Sequence, residues 1–159
     1  TINPEIVESI RQTATMAARF SCHHSFYRDA GLAVATMPQA MGLIEKVNHP
    51  NLGVMFNLCH FLKSEKAEDL ETVLAKAGDR LFAVSTCGAD TDGKGWGQLI
   101  QTLDKGNFPQ ERLFQILKKM DFKGPVGLQC YAIKGDRKTN LAASMKAWQE
   151  LIKKLNAGE

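Results

Sequence analysis

The sequence predicts an α/β protein with a mostly parallel sheet, and three observations carry that prediction. Short apolar runs alternate along the chain with stretches whose apolar residues recur at helical spacing. The runs, Leu52-Gly53-Val54-Met55-Phe56-Asn57-Leu58 above all, show little polar alternation, as strands do when both faces are buried. Strands separated by helices of this length form βαβ units, which require right-handed crossovers. Two architectures meet the pattern: a small open sheet with helices on both faces, or part of a (β/α)8 barrel, whose full form takes about 250 residues.

The first helix is predicted over residues 4–19, with Asn3 as N-cap, Pro4 at the first helical position, and Ile6, Ile10, Ala14 and Ala17 on one stripe. A weak strand follows at Cys22-His23-His24-Ser25-Phe26-Tyr27, assigned by its place in the alternation rather than by composition. Thr36 and Gln39 form a capping-box signature that opens the second helix, with Ala40, Ile44 and Val47 on its stripe and the Asn48-His49-Pro50-Asn51 turn after it. The strand 52–58 leads to a helix bearing Leu70, Val73, Leu74 and Ala77, which Gly78 stops before the strand 81–86. A glycine-dotted loop runs from Cys87 to Phe108. Pro109 opens a helix with Leu113, Ile116, Leu117 and Met120; a strand follows at 126–131, and a last helix from about Thr139 carries Leu141, Met145, Trp148, Ile152 and Leu155.

The chain has 159 residues, 44% hydrophobic and 23% charged, with a formal net charge of +3. That is enough for one domain over 1–159 with a real core, since folding at this length buries roughly 70% of the unfolded surface. No apolar run approaches the roughly 20 residues that span a bilayer, and 1–9 lacks a basic-then-apolar leader pattern, so the expectation is a cytoplasmic protein. Basic residues are scattered rather than blocked, which speaks against nucleic acid as a partner. Cys22, Cys59, Cys87 and Cys130 lie far apart without a close-spaced pair, so they read as free thiols.

The stretch Asn48-His49-Pro50-Asn51-Leu52-Gly53-Val54-Met55-Phe56-Asn57-Leu58-Cys59-His60-Phe61 resembles the sixth strand of the xylose isomerase-like TIM-barrel family, the sugar-phosphate isomerases and epimerases. That family has an Asn/Pro-rich turn there, an apolar strand, then Asp-x-x-His. Gly78-Asp79-Arg80-Leu81-Phe82-Ala83-Val84 is similar to its seventh strand and Lys123-Gly124-Pro125-Val126-Gly127-Leu128-Gln129 to its eighth. The resemblance implies the C-terminal half of a (β/α)8 barrel: about four parallel strands alternating with helices, preceded by one helix. Such a half leaves two strand edges open. The partner expected is a second copy, a homodimer that closes the sheet.

The resemblance also implies a divalent metal held by Glu, Asp, His and Glu, one from the end of each of the last four strands. Here the matching positions are Tyr27, Asn57, Ser85 and Gln129. Amides keep an acceptor oxygen but lose the charge that holds a cation, and neither acts as a base near neutral pH. No metal or other cofactor is therefore expected. His60, all that survives of Asp-x-x-His, is either a substrate contact or a partly exposed loop residue. Lys134 and Arg137 beside Gly135 offer a phosphate site of the kind barrels build after their last strands, or a plain charged turn. Trp96, in a loop that also holds Asp90, Asp92 and Lys94, offers a stacking platform for a sugar or an edge cap, and the loop's length suits a lid or a binding loop.

Cys59, Cys87 and Cys130 fall at strand C-termini near His60, a conceivable zinc set that lacks paired spacing. His23 and His24, with Asp29 close by, sit on opposite faces of their strand and cannot share one site. The expected function is carbohydrate or sugar-phosphate binding at Asn57, His60, Trp96, Gln129 and Lys134, with no catalytic residue assigned. A sugar isomerase or epimerase that needs a missing N-terminal half, and a non-catalytic assembly subunit, stand as alternatives.

Overall fold

The computed structural model describes residues 3–27 and 29–157. Four strands, β1 (His24–Tyr27), β2 (Leu52–Asn57), β3 (Leu81–Thr86) and β4 (Val126–Leu128), form one sheet in the order β1-β2-β3-β4. All three pairings are parallel. Sequential order with crossovers of one hand puts every connecting helix on the same side of the sheet. An open doubly wound sheet would instead reverse its order partway. The choice that periodicity leaves open is thus settled: this is half of a singly wound barrel, with the outer edges of β1 and β4 unpaired among the described residues.

The helices are α1 (Pro4–Arg19), α2 (Met37–Val47), α3 (Leu58–Ser64), α4 (Leu70–Ala77), a single turn α5 (Trp96–Leu99), α6 (Gln110–Lys119) and α7 (Arg137–Ala157). Their starts are chemically marked. Asn3 Oδ1 accepts the Glu5 N–H at 2.9 Å, with Pro4 following. In the capping box of α2, Thr36 Oγ1 accepts the Gln39 N–H at 3.5 Å while Gln39 Oε1 accepts the Thr36 N–H at 3.0 Å. At its other end, Asn48 takes a left-handed φ of 48° that stops the helix. Gly78, at φ 49° and ψ −133°, ends α4 in a conformation glycine tolerates best.

The core lies between the sheet and these helices. Val54 and Phe56 alternate on the helix side of β2 and are buried with Ile44, Leu74 and Leu113. Arg80 fastens the start of the central strands: its Nη1 donates to the carbonyls of His49, Pro50 and Leu52 at 2.9, 2.7 and 3.1 Å.

The structure departs from the sequence reading in four places. Strand β2 ends at Asn57 and passes without a linker into α3, so His60 lies in a helix rather than past a strand end. β4 ends at Leu128, which leaves Tyr131 in a turn. The segment 87–108 is no open lid. Gly88 and Gln101 exchange hydrogen bonds of 3.1 and 2.8 Å, the Phe108 N–H donates to Ala89 O at 2.9 Å, and Leu99, Ile100 and Leu103 are buried beneath. Finally, Leu141 and Met145 of the α7 stripe remain 53% and 44% exposed. Met145 borders an apolar hollow beside the free β4 edge, lined also by Val126, Leu128 and Trp148.

Candidate functional site

Every strand points its carboxyl end the same way, so the positions after the four strands gather at one rim. The register pairs Asn57 with Ser85, while the Gln129 N–H donates to Thr86 O at 2.8 Å and seats Gln129 level with the end of β3. Between β1 and β4 lies a cleft of about 420 Å³ lined by Tyr27, Asp29, Ala30, His60, Trp96, Ile100, Gln129 and Tyr131.

Its floor is organised around one hydroxyl. Asn57 Nδ2 donates to Tyr27 Oη at 2.6 Å and Gln129 Nε2 donates to the same oxygen at 3.2 Å. The two amide oxygens face elsewhere: Asn57 Oδ1 accepts the Cys59 S–H at 3.0 Å and Gln129 Oε1 accepts the Tyr131 N–H at 3.0 Å. With its acceptor capacity taken by two amides, the Tyr27 hydroxyl is left to give its own proton to whatever enters the cleft. Burial first, then the negative charges of Cys59 and Asp29, push Tyr27 above the ordinary tyrosine value, so it remains a neutral donor.

The wall is aromatic. His60 meets Tyr27 edge-on with ring centres 5.5 Å apart and Trp96 at 5.1 Å. His60 Nδ1 accepts the Ala30 N–H at 3.0 Å, with Asp29 Oδ1 at 3.5 Å from the same nitrogen. That hydrogen bond ties the ring to the backbone just past β1. Lys63 Nζ stands 5.7 Å from the Trp96 ring centre and donates to Lys94 O, which holds the indole at the rim.

The donor set does not fit a divalent cation. Tyr27, Asn57, Ser85 and Gln129 carry no carboxylate and no imidazole, and both amide oxygens already accept protons from protein groups. Among the described residues no group of three or more His, Cys, Asp or Glu side chains is arranged to hold a metal. Cys59 and Cys87 are buried while Cys130 is exposed, so the three thiols do not form one closed ligand set.

Of the residues singled out from sequence, Tyr27, Asn57, His60, Trp96 and Gln129 come together in or directly behind the cleft. Lys134 does not line it; its carbonyl accepts Asn140 Nδ2 at 3.0 Å in the turn before α7. Arg137 begins that helix. His23 stacks on Phe82 with ring centres 4.6 Å apart while His24 tilts towards Phe26, on opposite faces as the strand geometry requires. Asp29, Ala30, Ile100 and Tyr131 complete the lining. Only Asp29 carries a sequence signal, as a carboxylate just past a strand end.

This is the carboxyl-end face of a (β/α)8-type half barrel, which defines the class. The family model for the xylose isomerase-like TIM barrel matches residues 5–154, and the chain belongs to that family. Among solved structures it is similar to D-psicose 3-epimerase from Clostridium cellulolyticum H10, with a TM-score of 0.73 and 16% identity over 96% of this chain and 58% of that one. It is also similar to 3-keto-D-glucoside 4-epimerase from E. coli, with a TM-score of 0.69 and 18% identity over 93% and 52%. An AP endonuclease, family 2, from Brucella melitensis gives a TM-score of 0.65 and 22% identity over 86% and 50%. The chain thus spans about half the length of these proteins, and at such identities the likeness speaks to the fold. No curated protein sequence matches the chain significantly. Among the described residues no helix is long and apolar enough to cross a membrane.

Proposed function

We propose that this half barrel binds a carbohydrate at its carboxyl-end cleft without a metal ion. The observation that carries the reading is the Tyr27 hydroxyl oxygen, which accepts from both Asn57 and Gln129 and so keeps its own proton available to a ligand in the cleft. A sugar ring is rich in acceptor oxygens and has apolar C–H faces, which suit one oriented phenol donor and a wall of Trp96, His60 and Tyr131. The Asp29 carboxylate adds an acceptor for sugar hydroxyls at the same rim. With Lys134 away from the cleft, a neutral sugar is favoured over a sugar phosphate. The open edges of β1 and β4 support a partner that supplies further strands and closes the sheet around the ligand.

The test is a thermal-shift and calorimetric screen of neutral ketoses, aldoses and their phosphates, each with manganese and with EDTA. The reading expects binding of a neutral sugar that EDTA leaves unchanged and that Tyr27→Phe weakens. Binding that requires manganese would overturn it in favour of an isomerase or epimerase, and no response to any sugar would favour an assembly subunit.

A further inference from the structure

One group lining the cleft offers more than a neutral sugar uses. Asp29 is the only Asp, Glu, Lys or Arg in that lining among the described residues. Its carboxylate stands at the rim just past β1, with the side chain 41% exposed. No lysine or arginine among the described residues pairs with it. Its imidazole neighbour, His60 Nδ1 at 3.5 Å, is engaged with the Ala30 N–H at 3.0 Å. The turn after β1 does not draw on the side chain: the Asp29 N–H donates to Val34 O at 3.4 Å and the Asp29 carbonyl accepts the Leu32 N–H at 3.1 Å, both through backbone atoms. The carboxylate is therefore left to the ligand space.

The wall points to the same kind of ligand independently. Tyr27, His60, Trp96 and Tyr131 line one space. The His60 ring meets Tyr27 at 79° and Trp96 at 60°, so these rings cross at steep angles instead of stacking flat. Aromatic faces carry negative charge density and attract an ammonium within about 6 Å of the ring centre. Trp96 already shows this pull, with Lys63 Nζ 5.7 Å from its ring centre. That ammonium is held by Lys94 O and does not line the cleft. An anionic ligand would meet Asp29 with like charge and find no lysine or arginine in the described lining to answer it.

We propose that the sugar this cleft prefers carries a protonated amino group, and that Asp29 is the residue that selects it. The ammonium lies between the Asp29 carboxylate and the aromatic wall, while the Tyr27 hydroxyl donates to an oxygen of the same molecule. This choice of ligand rests on the carbohydrate reading of the cleft, to which it adds a charge. An exposed ion pair and an exposed cation–π contact together make an amino sugar about three- to thirtyfold tighter than its neutral parent.

The test is calorimetric titration of the whole chain at neutral pH with D-glucosamine, D-galactosamine and 1-amino-1-deoxy-D-fructose, each against glucose, galactose or fructose as its neutral parent. N-acetyl-D-glucosamine serves as the uncharged control. The expected result is a gain of about three- to thirtyfold for at least one amino sugar over its parent, narrowed by high salt and absent from the N-acetylated sugar. Asp29→Asn keeps the size of the side chain and removes its charge; with circular dichroism verifying the fold, amino sugar and parent should bind this variant alike. Neutral sugars that bind with no gain from the amino group would overturn the proposal and leave the carbohydrate reading standing. So would a gain that N-acetyl-D-glucosamine shares or that Asp29→Asn retains. Silence from all of these sugars would overturn the proposal and the carbohydrate reading together.

Discussion

Tyr27→Phe removes a single oxygen, and its cost can be worked from three neighbours. Asn57 is 0% exposed and its Nδ2 gives its bond to that oxygen at 2.6 Å. Without the hydroxyl a buried amide donor is orphaned, which costs about 1–3 kcal/mol. Gln129 contributes little, because its side chain reaches Tyr27 from the solvent side and can turn to water. At about 2–4 °C per kcal/mol for a chain of this size, the melting temperature should fall on the order of 2–12 °C. A double-mutant cycle isolates the cause: in an Asn57→Leu background there is no donor left to orphan, so Tyr27→Phe should cost nearly nothing there. The expected coupling is about 1–3 kcal/mol by urea unfolding. A Tyr27→Phe penalty equal in both backgrounds, or none in either, would refute the claim that this hydroxyl is the hub of the cleft floor.

Two further outcomes follow from the same geometry. Because Tyr27 is raised above the ordinary tyrosine value of about 10, the folded chain holds that proton more tightly than the unfolded chain does. Its contribution to stability is therefore complete below pH of about 10 and lost as pH rises through the folded value. The stability gap between the wild type and Tyr27→Phe, measured by urea midpoints, should narrow only above that pH; a gap that narrows near neutrality would contradict the assignment. Gly88→Ala places a methyl group 2.0 Å from Thr102 O and 2.5 Å from Lys105 O. Both are backbone atoms with nowhere to retreat, so it should destabilise by about 1–3 kcal/mol or more and speed amide exchange across 87–108. Unchanged exchange there would show that the segment is not held by the Gly88–Gln101 bridge.

What could be read from the sequence was what is written locally. Pro4 after Asn3, the Thr36–Gln39 box and the apolar runs at β2 and β3 each carry their own physical cause, and each element formed where that cause lies. The helix α3 has no sequence signature, because Leu58-Cys59-His60-Phe61-Leu62 is apolar on nearly every side, so neither period stands out, and no linker separates it from β2. The length of 87–108 suits a lid or a binding loop; Trp96 and Ile100 do line the cleft, but backbone bonds at Gly88, Ala89 and Gln101 hold the segment packed, and backbone bonds leave no side-chain pattern. The apolar run 126–131 reads as one strand through Tyr131, yet β4 stops at Leu128 and Tyr131 lies in a turn, with Ala132 at φ 56°, where it lines the cleft. Tyr27, Asn57 and Gln129 were found through family positions alone. That they converge on one hydroxyl is a three-dimensional fact, which no spacing along the chain encodes.

The open edges make one more demand, and it bears on which partner can close the sheet. A (β/α)8 barrel seats one helix outside each pair of neighbouring strands. This half has a helix at both ends of its series: α1 precedes β1 and packs on α2, and α7 follows β4 and packs on α6. If two copies joined β4 to β1, each seam would receive α7 from one copy and α1 from the other, two helices for one place. Strand-to-strand closure by a second copy therefore requires one helix at each seam to be displaced. A partner with four strands and only three intervening helices would close the barrel with none displaced, and would cover Leu141 and Met145 on one side and the exposed Met16 and Phe20 on the other. Sedimentation equilibrium over micromolar concentrations checks this: the chain alone should show monomer or open-ended association through its edges. A discrete dimer at every concentration, with α1 and α7 both protected from amide exchange, would show that the seam accommodates two helices and would restore the second copy as the partner.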